Sequence, residues 1–98
     1  MSVTIRRQVI KRCPFKDEMD AGELVITICG DAPELHKLGR EIDGLCGSPV
    51  SHEDFTRGVL ALVPEGSAVT TRWHTGPWFV EVSEGNAVLH DPVDRAGA

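Results

Sequence analysis

Apolar and polar positions alternate at one period in some stretches of this chain and at another period elsewhere, so elements can be assigned before any chemistry is considered. Residues 3–11 are rich in Val, Ile and Thr with weak alternation, and predict a strand. Pro14, Gly22 and many charges interrupt that pattern over residues 12–22, which read as a loop. Leu24, Val25, Ile26, Thr27 and Ile28 make Glu23–Cys29 a β-branched strand that Gly30 ends. Asp31 then offers a cap, Pro33 fits a first helical turn, and Glu34 completes an Asp-x-x-Glu box. Leu35, Leu38, Ile42 and Leu45 follow at helical spacing, and Gly44 and Gly47 close the helix. Ser51-His52-Glu53-Asp54 repeats the capping pattern before a second apolar series, Phe55, Val59, Leu60, Leu62 and Val63, stopped by Pro64 and Gly66. Two strands come last. Val69, Thr71 and Trp73 alternate with polar neighbours, Gly76-Pro77 turns the chain, and Trp78, Val80 and Val82 alternate again.

The order strand, strand, helix, helix, strand, strand predicts an α+β fold: a four-stranded antiparallel sheet with both helices on one face. Residues 1–83 form the single domain, and residues 84–98 read as a short extension and loose tail. A sheet of this kind has two open edges, which close most simply by pairing with other subunits.

Composition narrows the function classes. At 98 residues the chain has room for one core, and a deep pocket inside one subunit is hard to build, so an intersubunit cleft is expected for any ligand. The net charge of −5, with no basic run longer than Arg6-Arg7 or Lys11-Arg12, argues weakly against non-specific nucleic-acid binding. No apolar stretch is long enough for a membrane span, and the first residues lack an apolar core, so no secretion signal is expected. Cys13, Cys29 and Cys46 have no C-x-x-C spacing, so neither a disulfide scaffold nor a zinc site is expected. A reducing, cytoplasmic setting follows.

The candidate chemistry starts at Cys13, which leaves a strand among Lys11, Arg12 and Lys16, whose charge favours a thiolate. A lone cysteine is otherwise a small buried hydrophobe. Asp20 belongs to an acidic run with Asp17 and Glu18 that reads as a solvated loop unless its spacing to Cys13 matters. Glu53 and Asp54 suit a helix N-terminus through the dipole alone, and His52 there could act as a neutral hydrogen-bond donor. Trp73 and Trp78 flank a turn as core or interface residues. His36 and Lys37 read as solvent-facing, and His74 and His90 show no metal-ligand spacing.

Taken together, Cys13-Pro14…Asp20, Val25–Ile28, Glu34…Leu38 and His52-Glu53 resemble the 7-cyano-7-deazaguanine reductase family of the tunnelling fold, or T-fold. The resemblance covers roughly residues 8–56 and implies a ββααββ subunit, assembled into ring-shaped homo-oligomers with sites between subunits. It implies that Cys13 attacks a nitrile carbon to give a thioimide and that Asp20 moves the proton. It implies that His52 assists, that Glu53 anchors the guanine-like edge, and that Glu34 belongs to the matching substrate-binding set. The reductases carry a Glu-Ser-Lys-Ser-Leu-Lys type segment for NADPH, whereas this chain reads Glu34-Leu35-His36-Lys37-Leu38-Gly39. Without those lysines and serines no cofactor is expected. The chain looks closer to the amidine-forming branch, in which ammonia attacks the same thioimide. The expected substrate is a deazaguanine base or nucleotide, free or within tRNA or DNA. An NADPH-dependent reductase and a non-catalytic purine- or pterin-binding T-fold protein are the alternatives.

Overall fold

The computed structural model describes residues 2–85, in the order β1 Ser2–Arg12, β2 Met19–Cys29, α1 Leu35–Cys46, α2 His52–Leu60, β3 Ala68–Thr75 and β4 Trp78–Gly85. The four strands form one antiparallel meander in the order β1-β2-β3-β4. No helix of the described residues is long and apolar enough to cross a membrane.

Alternation decides which side of the sheet is covered. Val9 on β1, Leu24, Ile26 and Ile28 on β2, and Val69 and Trp73 on β3 all point to the helical side and are buried. Leu38 and Ile42 of α1 and Phe55 and Val59 of α2 meet them, so the predicted helical stripes do form the core. The outer ends of the first stripe behave differently: Leu35 stays exposed and Leu45 is only partly buried. On the uncovered face polar side chains pair across strands, with Arg72 bridging Glu23 of β2 at 3.1 Å and Glu81 of β4 at 3.5 Å. The result is a plate 16 Å thick in its shortest dimension, one helix layer on one sheet.

Four boundaries depart from the sequence pattern, the simplest being α2, which ends at Leu60 with Leu62 and Val63 in the turn beyond it. β2 begins at Met19, not Glu23, because the β1–β2 register runs on through Lys11↔Asp20 and Arg12↔Met19. Asp20 is therefore a buried strand residue and not part of a solvated loop. The first helix is capped by Glu34, whose carboxylate accepts from the His36 amide, so Asp31 lies outside it. The predicted tail over residues 84–98 overlaps β4 at Glu84 and Gly85, and residues 86–98, with His90, lie outside the described residues. The second cap is as expected, Ser51 Oγ accepting from the Asp54 amide at 3.0 Å.

Both hairpin turns lie at the same end of the sheet. The first spans residues 13–18 and is closed by the Cys13 amide donating to the Glu18 carbonyl at 2.9 Å. The second is Gly76-Pro77. Gly76 has φ +59°, and proline fixes a negative φ after it, which is the pattern of a type II′ turn matched to strand twist.

Candidate functional site

The turn end of the sheet carries the chemistry because register brings four separate segments together there. Lys11 and Asp20 face each other across β1 and β2 and point to the helical side. Cys13 follows two residues after Lys11, and its sulfur, a Glu18 oxygen and an Asp20 oxygen lie within 4.8 Å of one another. The loop before α2 is strapped to β1 by the Val50 amide, which donates to the Arg12 carbonyl at 3.2 Å. That strap sets Ser51, His52 and Glu53 over the end of the sheet. Lys11, Cys13, Pro14, Phe15, Asp20, His52 and Glu53, with Ser51, Thr75 and Val80, line one pocket of about 230 Å³.

Of the residues expected from the sequence, Cys13, Asp20, His52 and Glu53 therefore converge. Glu34 does not join them, since it caps α1 and is no part of this lining. The segment aligned with the reductases' cofactor motif is the first turn of the same helix. Cys29 is exposed at the end of β2, and the Cys46 thiol, at the end of α1, has a pKa raised mainly by burial. The positive groups near Cys13 divide: Arg12 pairs loosely with Asp17 at 3.7 Å on the surface, while Lys11 is wholly buried.

His52 is held by three contacts. Its ring stacks on Trp73 with centroids 4.6 Å apart and planes 7° apart. Its Nε2 lies 3.2 Å from Thr75 Oγ1. Its carbonyl accepts from Thr56 Oγ1 at 2.7 Å, and Thr56 and Thr71 hydroxyls are 2.7 Å apart. The Trp73 indole donates to Thr71 Oγ1 at 2.8 Å. An indole N–H only donates, so every proton in the chain Trp73, Thr71, Thr56, His52 carbonyl runs one way and no buried hydroxyl is left unpaired.

The His52 pKa is lowered below 6.5, by burial first and then by the positive charge of Lys11. Its Nδ1 is buried without a partner. Both facts fit a neutral ring protonated at Nε2, which donates to Thr75 and leaves Nδ1 as a bare acceptor. An unpaired N–H at Nδ1 would be the costlier state.

Glu53 is exposed at the pocket's mouth, where its carboxylate can meet a ligand edge. Asp20 is bound through Oδ2 to the Lys11 ammonium at 2.9 Å and also lines the pocket. Cys13, Glu18 and Asp20 offer a donor set of the kind metals use, but the Lys11 charge beside Asp20 opposes a second cation there.

Lys11, Trp73 and Thr75 are the site residues that sequence reasoning missed as such. Strand alternation places Lys11 and Cys13 two apart, but only the β1–β2 register shows that the lysine meets Asp20.

No family model and no curated protein matches the chain. In structure it is similar to a solved archaeosine synthase QueF-Like in its apo form, with a TM-score of 0.75 and 21% identity. The likeness covers 85% of this chain and 90% of that one. The fold is that of a T-fold subunit. The expected ββααββ order, single antiparallel sheet and one-sided helices are all present in it.

Proposed function

We propose that this protein processes a deazaguanine nitrile: Cys13 captures the nitrile carbon of a 7-cyano-7-deazaguanine unit as a thioimide, and ammonia then releases an amidine. The observation that carries this reading is the meeting of Cys13, Asp20, His52 and Glu53 in one pocket, from segments up to 40 residues apart in sequence (13 to 53). That the similar solved structure is an archaeosine synthase supports the same chemistry. The pocket is smaller than common ligand cavities of roughly 300–1,000 Å³, which suits a single fused ring.

The first step adds the thiol across the triple bond. The Cys13 S–H proton passes to the Asp20 carboxylate, sulfur bonds to carbon, one C–N π bond opens, and the nitrogen takes the proton from Asp20. A nitrile is a weak electrophile until its nitrogen is protonated, so nucleophile and acid must stand together, as these two do. Glu53 accepts hydrogen bonds from the N–H groups of the heterocycle's guanine-like edge, and neutral His52 supports the ring nearby. In the second step ammonia adds to the thioimide carbon, the C–S bond breaks, and sulfur regains its proton as the amidine leaves.

Intact mass spectrometry after incubation with 7-cyano-7-deazaguanine tests the capture. Wild type gains one ligand mass per subunit and Cys13→Ala gains none. An adduct on Cys29 or Cys46 refutes the assignment. Ammonium-dependent amidine formation on the base, nucleoside or nitrile-bearing nucleic acid completes the reading. Nitrile-dependent NADPH oxidation would replace it with a reductase, and capture without turnover would replace it with a binding protein.

A further inference from the structure

Lys11 has no part in the steps just described, yet it stands behind the atoms that perform them. Its side chain is 0% exposed. The ammonium donates to Asp20 Oδ2 at 2.9 Å and to the Val50 carbonyl at 2.8 Å. It also lies 4.8 Å from the centre of the Trp73 ring, on whose surface His52 stacks. Two of the ammonium's three N–H groups therefore have acceptors, and the charge itself faces the Trp73 ring. With its side chain 0% exposed, Lys11 lies beneath the pocket floor and presents no surface to a ligand in this structure.

Core packing does not explain it either. Of the other helix-side positions on β1, Val9 is in the core and Ile5 packs against it, while Arg7 reaches Asp43 of α1 at 2.9 Å with its side chain still 39% exposed, so Lys11 alone carries a fully buried charge on this strand. Burying two charges costs several kcal/mol per ion before their attraction offsets it, and apolar replacements of similar volume are often neutral or stabilising. A lysine and an aspartate facing each other at the floor of a pocket are thus a poor means of stability and a good means of fixing geometry.

We infer that Lys11 is a positioning residue for the Cys13–Asp20 pair. It binds one carboxylate oxygen so that the other faces the thiol, and it ties that carboxylate to the loop carrying His52 through Val50. The inference rests on the nitrile-capture reading for its chemistry. Through both proton transfers of that reaction Lys11 keeps its own protons; only Cys13, Asp20 and the nitrile nitrogen exchange one. The positive charge of Lys11 is also one of the causes that hold His52 neutral.

A double-mutant cycle separates positioning from bulk stability. The four proteins are wild type, Lys11→Met, Asp20→Asn and the Lys11→Met/Asp20→Asn double variant, which leaves no buried charge unpaired. Two readouts are followed by mass: the rate of nitrile capture, and the rate of Cys13 alkylation by iodoacetamide, which needs no nitrile. In Lys11→Met, capture slows about tenfold or more at saturating nitrile with little change in half-saturation. In the Asp20→Asn background the same lysine change alters either rate by less than about twofold, because its route of action is already gone. Equal rates in wild type and Lys11→Met, or full additivity across the cycle, overturn the inference. If Lys11→Met does not fold, a change of more than about twofold in alkylation between Asp20→Asn and the double variant still overturns the inference. If wild type forms no nitrile adduct, the nitrile reading falls while the four alkylation rates still judge Lys11.

Discussion

His52 shows how much of one residue's chemistry is set by what surrounds it. Its ring is pressed on Trp73, beside the buried Lys11 charge, and its pKa is lowered from 6.5. The sign of the stability effect follows. Between that lowered value and 6.5 the unfolded chain binds a proton at this position and the folded one does not, so stability is lost as pH drops through the window and is unaffected above it. Urea midpoints measured from pH 8 to pH 5 should fall more steeply for wild type than for His52→Gln. The imidazole C–H resonance of His52 should titrate below 6.5. A midpoint above 6.5 would remove the neutral donor from the site. At this scale sequence reading reached Cys13, Asp20, His52 and Glu53 through a spaced motif, since those residue types carry a signature. Lys11 was visible only as local positive charge. Its partner lies nine positions away across a hairpin, and nothing in the local pattern says that the strand continues past Gly22 to include Asp20.

Among the elements, β2 and β3 depend on an absent side chain. Gly22 sits opposite Trp73, and a Cβ there would lie 2.5 Å from the indole and 2.6 Å from the Arg72 carbonyl. The glycine lets the indole lie across the strand, and the indole in turn carries His52 and faces Lys11. Gly22→Ala must push the ring or the strand aside, and overpacking of this kind costs about 1–3 kcal/mol. A domain of this size loses roughly 4–8 °C of melting temperature per kcal/mol, so calorimetry should find a drop of at least a few degrees. Nitrile capture should weaken together with it; an unchanged melting temperature would show that Trp73 is not held as described. Alternation and capping made β3, β4, α2 and most of β1 legible in the sequence. The same glycine hid the start of β2, because Gly22 beside Pro14 and three acids looks like punctuation when it is in fact clearance for a tryptophan.

The whole molecule leaves much apolar surface in water. Ile10 (59%), Phe15 (84%), Met19 (53%), Trp78 (70%) and Phe79 (84%) are exposed, and all belong to the two hairpins that meet at the pocket's end. Large hydrophobes gathered at one end, together with the edges of β1 and β4 unpaired among the described residues, favour association. The proposed assembly is a ring-shaped homo-oligomer of the chain, with the shallow pocket completed between subunits. Light scattering at micromolar concentration should give a multiple of 10.7 kDa, and a clean monomer would exclude it. The meander has one more effect, which comes from counting strands. With an even number running up and down, both ends of the described chain arrive at the rim opposite the pocket, Ser2 beside Cys29 and Gly85 beside Ala68. An 8-residue strand such as β3 spans about 26 Å at 3.3 Å per residue, so that distance separates the two rims. Polypeptide joined ahead of Ser2, whether an affinity handle or another domain, therefore starts from the far rim and need not cross the pocket's mouth.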